Sequence, residues 1–169
     1  MVVDIPVPLA IAVELRTNPL GGRVTVTVVD APAESAREAI LDDIERKLVG
    51  EQENLVFQTV QRAHQQLQSY ADRNGYTEGP LLDSFAGVDA SRGRRSVQAE
   101  WSWDHKVMQF WEFGVAPHTI EGNPLLHFYW EAADQWVKTE SVEWGSETGG
   151  IPPSRAVRDS LNWLRRELS

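Results

Sequence analysis

Apolar and polar positions along this chain switch between two periods, and the switches divide it into four stretches. Residues 9–16 and 23–29 are β-rich runs; in the second, Val24, Val26 and Val28 alternate with Thr25, Thr27 and Val29, the period-two pattern of a strand that buries one face. Between them Thr-Asn-Pro-Leu-Gly-Gly, residues 17–22, is a cluster of turn formers, so the two runs predict an N-terminal β-hairpin. An isolated hairpin is marginal in water, so it must pack on this subunit or on a neighbour. From residue 33 the period lengthens: Ile40, Leu41, Ile44, Leu48, Leu55, Val56, Val60, Ala63, Leu67 and Tyr70 recur every three or four residues. Pro32 suits a helix start, Glu34 and Glu38 complement the positive end of the dipole, and Asn74-Gly75 makes a C-cap. This predicts a long amphipathic helix with a bend or break at Gly50. Unbroken, it would run roughly 60 Å, longer than a small domain is wide, which places part of its apolar stripe against another subunit. Two ordinary core helices are the alternative.

Residues 76–80 read as a connector, residues 81–85 as a short turn or helix, and residues 89–95 as an exposed basic loop carrying Arg92, Arg94 and Arg95. Such a loop can touch nucleic acid, but three charges at a tip more often face solvent or a partner. Residues 97–103, 107–113, 125–130 and 136–142 are strand-like and separated by turns, which predicts an antiparallel β-meander. After Pro152-Pro153, residues Ala156, Val157, Leu161, Leu164 and Leu168 share one helical face, so a C-terminal helix is expected to lie on the sheet. The expected fold class is α+β, with an N-terminal hairpin extension over residues 1–31. Residues 32–169 form a domain of long helix, meander and C-terminal helix, without the strand–helix alternation of a dinucleotide fold.

Composition narrows the possibilities. The 169 residues are about one domain long, and 41% hydrophobic content suffices for one core. There is no cysteine, which excludes disulfides and thiolate metal sites. The first residues carry no basic region before an apolar run, and no apolar run approaches the roughly 18 to 20 residues of a membrane span, so neither a signal peptide nor a membrane role is expected. Twenty-five acidic residues against 16 basic ones give a charge of -9, which argues against gripping a DNA duplex. Only Lys47, Lys106 and Lys138 are lysines, and the acids spread along the whole chain. That pattern resembles proteins of salt-loving hosts, where salt screens acidic self-repulsion; an ordinary acidic bacterial or viral protein has the same balance.

Candidate chemistry is sparse. The histidines are His64, His105, His118 and His127, and none has a helper at motif spacing. His118 and His127 with Glu112 offer a two-His-one-carboxylate set for a metal-assisted hydrolase, against which stands the local hydrogen bonding usual for histidines in turns and strands. Asp42 with Asp43, and Glu51 with Glu53, fall on polar helix faces and read as solvated charge rather than acid–base pairs. No phosphate-cradling glycine loop is present, so neither cofactor nor nucleotide is expected. Six of the seven tryptophans (Trp101, Trp103, Trp111, Trp130, Trp136 and Trp144) lie in or beside the predicted meander. This is more than one sheet face can hide, and Trp101, Trp103, Trp111, Trp130 and Trp136 are candidate subunit contacts.

Several separated pieces resemble one family. Gly79-Pro80-Leu81-Leu82-Asp83-Ser84, then Trp111-Glu112-Phe113-Gly114-Val115-Ala116-Pro117-His118-Thr119-Ile120, then Leu125 to Trp130, and finally Gly149-Gly150-Ile151-Pro152-Pro153 with Ala156-Val157 follow the order found in the gene-product-ten-like tail-completion (neck) proteins of long-tailed phages. The likeness covers roughly residues 79–164. It departs from the family in the N-terminal hairpin and in Gly-Gly-Ile-Pro-Pro where His-Pro-Gly is commoner. The motif residues Glu112, Phe113, Gly114, Pro117 and His118 read as structural: Gly114 permits positive φ, Pro117 stiffens the turn and Glu112 can accept neighbouring amides. The resemblance implies a non-enzymatic virion protein of the head–tail junction, assembled in the host cytoplasm. It would form a homo-oligomeric ring, hexameric or dodecameric, between a head-closure or connector protein and a tail terminator or tail tube protein. DNA would pass through the lumen without specific binding, eased by an acidic wall. Another tail component, such as a tail terminator, fits the same features.

Overall fold

The computed structural model describes residues 9–50 and 52–169. Strands β1 (Ala10–Asn18) and β2 (Gly21–Asp30) form the expected hairpin around Pro19-Leu20, and Asn18 Oδ1 accepts the Leu20 amide at 3.0 Å to close the turn. Gly21 and Gly22 belong to β2 rather than to the turn. A Cβ on Gly21 would sit 1.9 Å from the Trp101 carbonyl oxygen, and one on Gly22 would sit 2.9 Å from the Trp101 ring, so glycine is needed here for close approach.

β2 pairs antiparallel with β4 (Ser96–Trp103), and β4 with β3 (Phe85–Arg92), giving the strand order β1-β2-β4-β3. Residues 10–30 therefore share one sheet with residues 85–103, and no break in the fold coincides with residue 31. The two inner strands have complementary faces. Val24, Val26 and Val28 on β2, with Val97, Ala99, Trp101 and Trp103 on β4, are buried. On the opposite face Thr25 bonds Gln98, and Arg23 pairs with Glu100 at 2.8 Å. Among the described residues helices thus cover only one face, and each fully buried Val or Leu there contributes about 1.5–3 kcal/mol.

The helical stretch is divided near the expected place. Helix α1 (Glu34–Glu45) continues through a π-helical turn, Arg46–Gly50, and α2 (Leu55–Asn74) restarts from Asn54, whose side chain accepts the Phe57 amide at 2.8 Å. Gly75 ends α2 in the left-handed conformation at φ 68°. At 20 residues α2 spans about 30 Å, the width of a domain, so helix length gives no argument for a subunit contact. Leu41, Leu48, Val56, Val60, Ala63 and Leu67 face the sheet and the C-terminal helix α5 (Ala156–Glu167), joining Val157, Leu161 and Leu164 in one core.

The single meander is corrected. Of its four segments, residues 97–103 lie in β4, but residues 107–113 form helix α4 (Val107–Phe113), and the last two belong to a separate two-stranded sheet of β5 (His118–Trp130) and β6 (Gln135–Trp144). Met108, Trp111 and Glu112 recur at helical spacing and are all buried, so three- and four-residue periodicity overrides β-propensity in this short run. Helix α3 (Gly79–Asp83) begins two residues before the short turn or helix expected over residues 81–85, and Phe85 already belongs to β3, which was not legible: Asp89, Ala90 and Ser91 have no strand pattern because β3 is an exposed edge.

Two local devices follow from this packing. Arg92, at the end of β3, is not part of a free basic loop: it reaches Asp42 at 2.6 Å, Glu45 at 2.8 Å and Glu38 at 2.9 Å, joining the sheet edge to the acidic face of α1. Arg94 lies 3.8 Å from Glu34, and Arg95 donates to the Val29 carbonyl. Arg92→Ala leaves three carboxylates facing one another. It is expected to lower the melting temperature in low salt and to lose most of that effect at 1 M NaCl, where the Debye length is about 3 Å.

His64, half-buried on α2, accepts a hydrogen bond from Trp103 Nε1–H at 3.0 Å and meets Phe85 edge-on. Accepting requires the neutral imidazole, and burial holds its pKa below the ordinary 6.5. The folded form thus binds its proton less readily than the unfolded chain. This contribution to stability is present above pH 6.5 and is lost as pH falls through the lowered value. Melting curves from pH 7.5 to 5 should show the loss in the natural chain and a smaller one in His64→Gln.

Candidate interaction site

β5 and β6 pair along almost their whole length and make a projecting arm. Between His118 and Thr148 not one residue is buried. Trp136 is 67% exposed and Trp130 52% exposed, with Leu125, Tyr129 and Ile120 also open. The pairing puts Tyr129 opposite Trp136 and His127 opposite Lys138 on one face, with Phe128, Trp130 and Val137 on the other; the register shifts between Glu121 and Leu126, and beyond that shift His118 lies opposite Trp144. Ring contacts follow that register: His127 and Tyr129 both touch Trp136, and His118 touches Trp144. Among the described residues no third strand pairs with β5 or β6, and so small a sheet, with aromatics open on both faces, is marginal in water by itself.

Residues 112–118 build the root of the arm together with residues 150–158. Glu112 is fully buried at the end of α4, and its carboxylate accepts the Val157 amide at 2.8 Å and the Arg158 amide at 3.0 Å. These are otherwise unpaired donors in the first turn of α5, so Glu112 caps a helix 45 residues away, not its own neighbours. Ser154 Oγ accepts the Ala156 amide beside it. Burial pushes the Glu112 carboxyl above its ordinary 4.5, while the two amides pull the other way.

Gly114 has φ 75°, and a Cβ there would meet the Ile151 carbonyl at 2.8 Å. Next to it Val115 and Ile151 exchange backbone hydrogen bonds of 2.8 and 2.9 Å, tying the two ends of the arm together. Gly150 closes this bridge at φ 84°, where a Cβ would lie 2.1 Å from the Val115 carbonyl oxygen. Tyr70 of α2 donates to the Pro152 carbonyl at 2.6 Å and packs on Trp111, and burial pushes its phenol up to about 12. Pro117 and His118 lie exposed where the arm begins, and Phe113 is 47% exposed on α4.

The tryptophans separate into two groups. Trp101, Trp103 and Trp111 are 5% exposed or less and belong to the core, so their assignment as subunit contacts is corrected; Trp130 and Trp136 are the exposed ones. For Trp101 and Trp103 sequence spacing missed this because period-two alternation gives the same signal for a strand that faces a core and one that faces solvent; Trp111 is buried by its place on α4. Nor are His118, His127 and Glu112 assembled into a metal site. The two histidines pair with Trp144 and Lys138, six positions apart on β6, which is about 20 Å at roughly 3.3 Å per residue, and Glu112 is occupied by α5. Among the described residues no group of three His, Cys, Asp or Glu side chains could hold a metal ion, and no helix is long and apolar enough to cross a membrane.

Comparison with protein-family models, with curated proteins and with solved structures yields no match.

Proposed function

We propose that this chain is a structural subunit of the head–tail junction of a tailed virus. It would assemble into a homo-oligomeric ring, six subunits being the simplest size, with the β5–β6 arm as its main contact element. The observation that carries this reading is an arm with aromatics on both faces and no buried residue, joined to the body through the hydrogen-bonded root at Glu112, Gly114 and Gly150. A hydrogen-bonded root suits a contact element, because a pre-set direction reduces the entropy lost on docking. The resemblance of residues 79–164 to tail-completion proteins supplies the viral setting and the neighbours, a head-closure or connector protein on one side and a tail terminator or tail tube on the other. A net charge of -9 suits a lumen through which DNA slides without sticking.

Light scattering and negative-stain imaging of the purified chain over a range of concentrations test the reading. A closed ring is expected. Replacing residues 119–143 by a short Gly-Ser turn between His118 and Trp144 should leave a folded body that no longer assembles. A natural chain that stays monomeric at every concentration and is absent from virions would sink it.

A further inference from the structure

The arm and one face of the body carry opposite charge. From His118 to Thr148 there are six carboxylates (Glu121, Glu131, Asp134, Glu140, Glu143 and Glu147) against the single Lys138, and none of these seven groups forms an ion pair among the described residues. Half of the 16 basic side chains reach a carboxylate: Arg16, Arg23, Arg37, Arg46, Lys47, Arg92, Arg94 and Arg155. Of the other eight, Arg95, Lys106 and Lys138 lie elsewhere, and five stand on α2 and α5. There Arg62, Arg73 and Arg166 line a groove of about 440 Å³ with Trp163, and Arg165 stands beside it on α5. None of these four arginines has an ion pair among the described residues; Arg62 stacks over the Trp163 ring at 4.2 Å. The one carboxylate in the groove, Asp159, is already engaged by Gln66 at 3.1 Å and Arg155 at 3.6 Å.

We infer that the α2–α5 groove receives the β5–β6 arm of a second copy of this chain. This rests on the assembly reading above and names the two surfaces that it joins. Guanidinium groups suit both features of the arm, since they pair with carboxylates through forked hydrogen bonds and stack on indole and phenol rings. A chain cannot satisfy its own groove, because its arm packs chiefly on itself and is tied at the root by Val115 and Ile151. Arm into groove is a contact between unlike surfaces. Repeated from copy to copy it generates a ring if the rotation closes and a filament if it does not.

The test uses the full chain. Arg62→Glu, Arg73→Glu and Arg166→Glu combined should weaken self-association by about tenfold or more, the effect of turning several charge-assisted contacts into repulsions. The melting temperature should stay close to that of the natural chain, since these side chains are exposed. Mixing this variant with one carrying Glu140→Arg and Glu143→Arg should restore assembly. A photoreactive benzoylphenylalanine in place of Trp136 should crosslink to peptides of α2 or α5 of another subunit.

If the natural chain assembles and arm removal abolishes assembly while the three-arginine variant still forms rings, the groove assignment is overturned and the assembly reading stands. Crosslinks that land instead on the open apolar groove beside β1, at Ile11, Ile40 or Ile44, would overturn it in the same way. So would a groove that binds a DNA duplex in gel shift while the reversed charges leave self-association unchanged. A natural chain that never self-associates removes both the reading and the inference.

Discussion

Glu112→Ala is expected to destabilise the protein by about 3–5 kcal/mol, enough to unfold it at moderate temperature, as measured by denaturant titration monitored by circular dichroism. Two amides of the α5 first turn lose their acceptor inside the protein, at about 1–3 kcal/mol each, and the missing carboxyl leaves a cavity. Glu112→Gln should cost less, about 1–2 kcal/mol. Its amide oxygen keeps one hydrogen bond while its NH2 group faces the other donor, and the burial of a charge is relieved. The pH dependence separates this from a packing effect. Because burial raises the folded pKa, the folded chain binds this proton more readily than the unfolded one. The Glu112 contribution is therefore greatest below pH 4.5 and declines as pH rises through the raised value. The stability of the natural chain relative to Glu112→Gln should fall over that interval, opposite in sign to the His64 contribution.

The second large effect is a contrast among the tryptophans. Trp103→Ala is expected to cost about 3–5 kcal/mol, since the ring is fully buried, contacts Phe85 and His64, and donates the hydrogen bond that His64 accepts. Trp136→Ala should change stability by no more than about 0.5 kcal/mol, because the ring is 67% exposed. Self-association should respond in reverse order: removing Trp136 deletes contact area and reduces assembly, whereas any loss from Trp103→Ala follows unfolding. Denaturation and light scattering on the same two variants measure both quantities. Equal stability losses would mean that the arm folds back onto the body.

The residues that announced their own roles did so through local physics. Val24, Val26 and Val28 alternate because a strand has a period of two, and they are buried where β2 runs under the helices. Asn74-Gly75 ends α2 because only a residue tolerant of positive φ closes that turn, and Gly114 adopts φ 75° for the same reason. The α+β class, the hairpin, the helical stretch with its interruption near Gly50 and the C-terminal helix were legible in this way.

What only the tertiary structure decided concerns partners distant in the chain. Residues 107–113 are rich enough in β-formers to read as a strand, and become a helix because Met108, Trp111 and Glu112 find a core and a helix terminus to bury against. Arg92 reads as a loop charge until β3 brings it to Glu38, Asp42 and Glu45, some fifty residues earlier. Likewise Trp103 and Trp136 have the same chemistry and similar strand settings, and differ only in whether something lies across from them. Outside residues 85–92 and 107–113, the sequence by itself determined which segments are helix or strand and which faces are apolar, since these depend on neighbours within four residues. Which apolar faces meet one another, and which are left open, depends on contacts forty to ninety residues apart, for which local periodicity carries no signal.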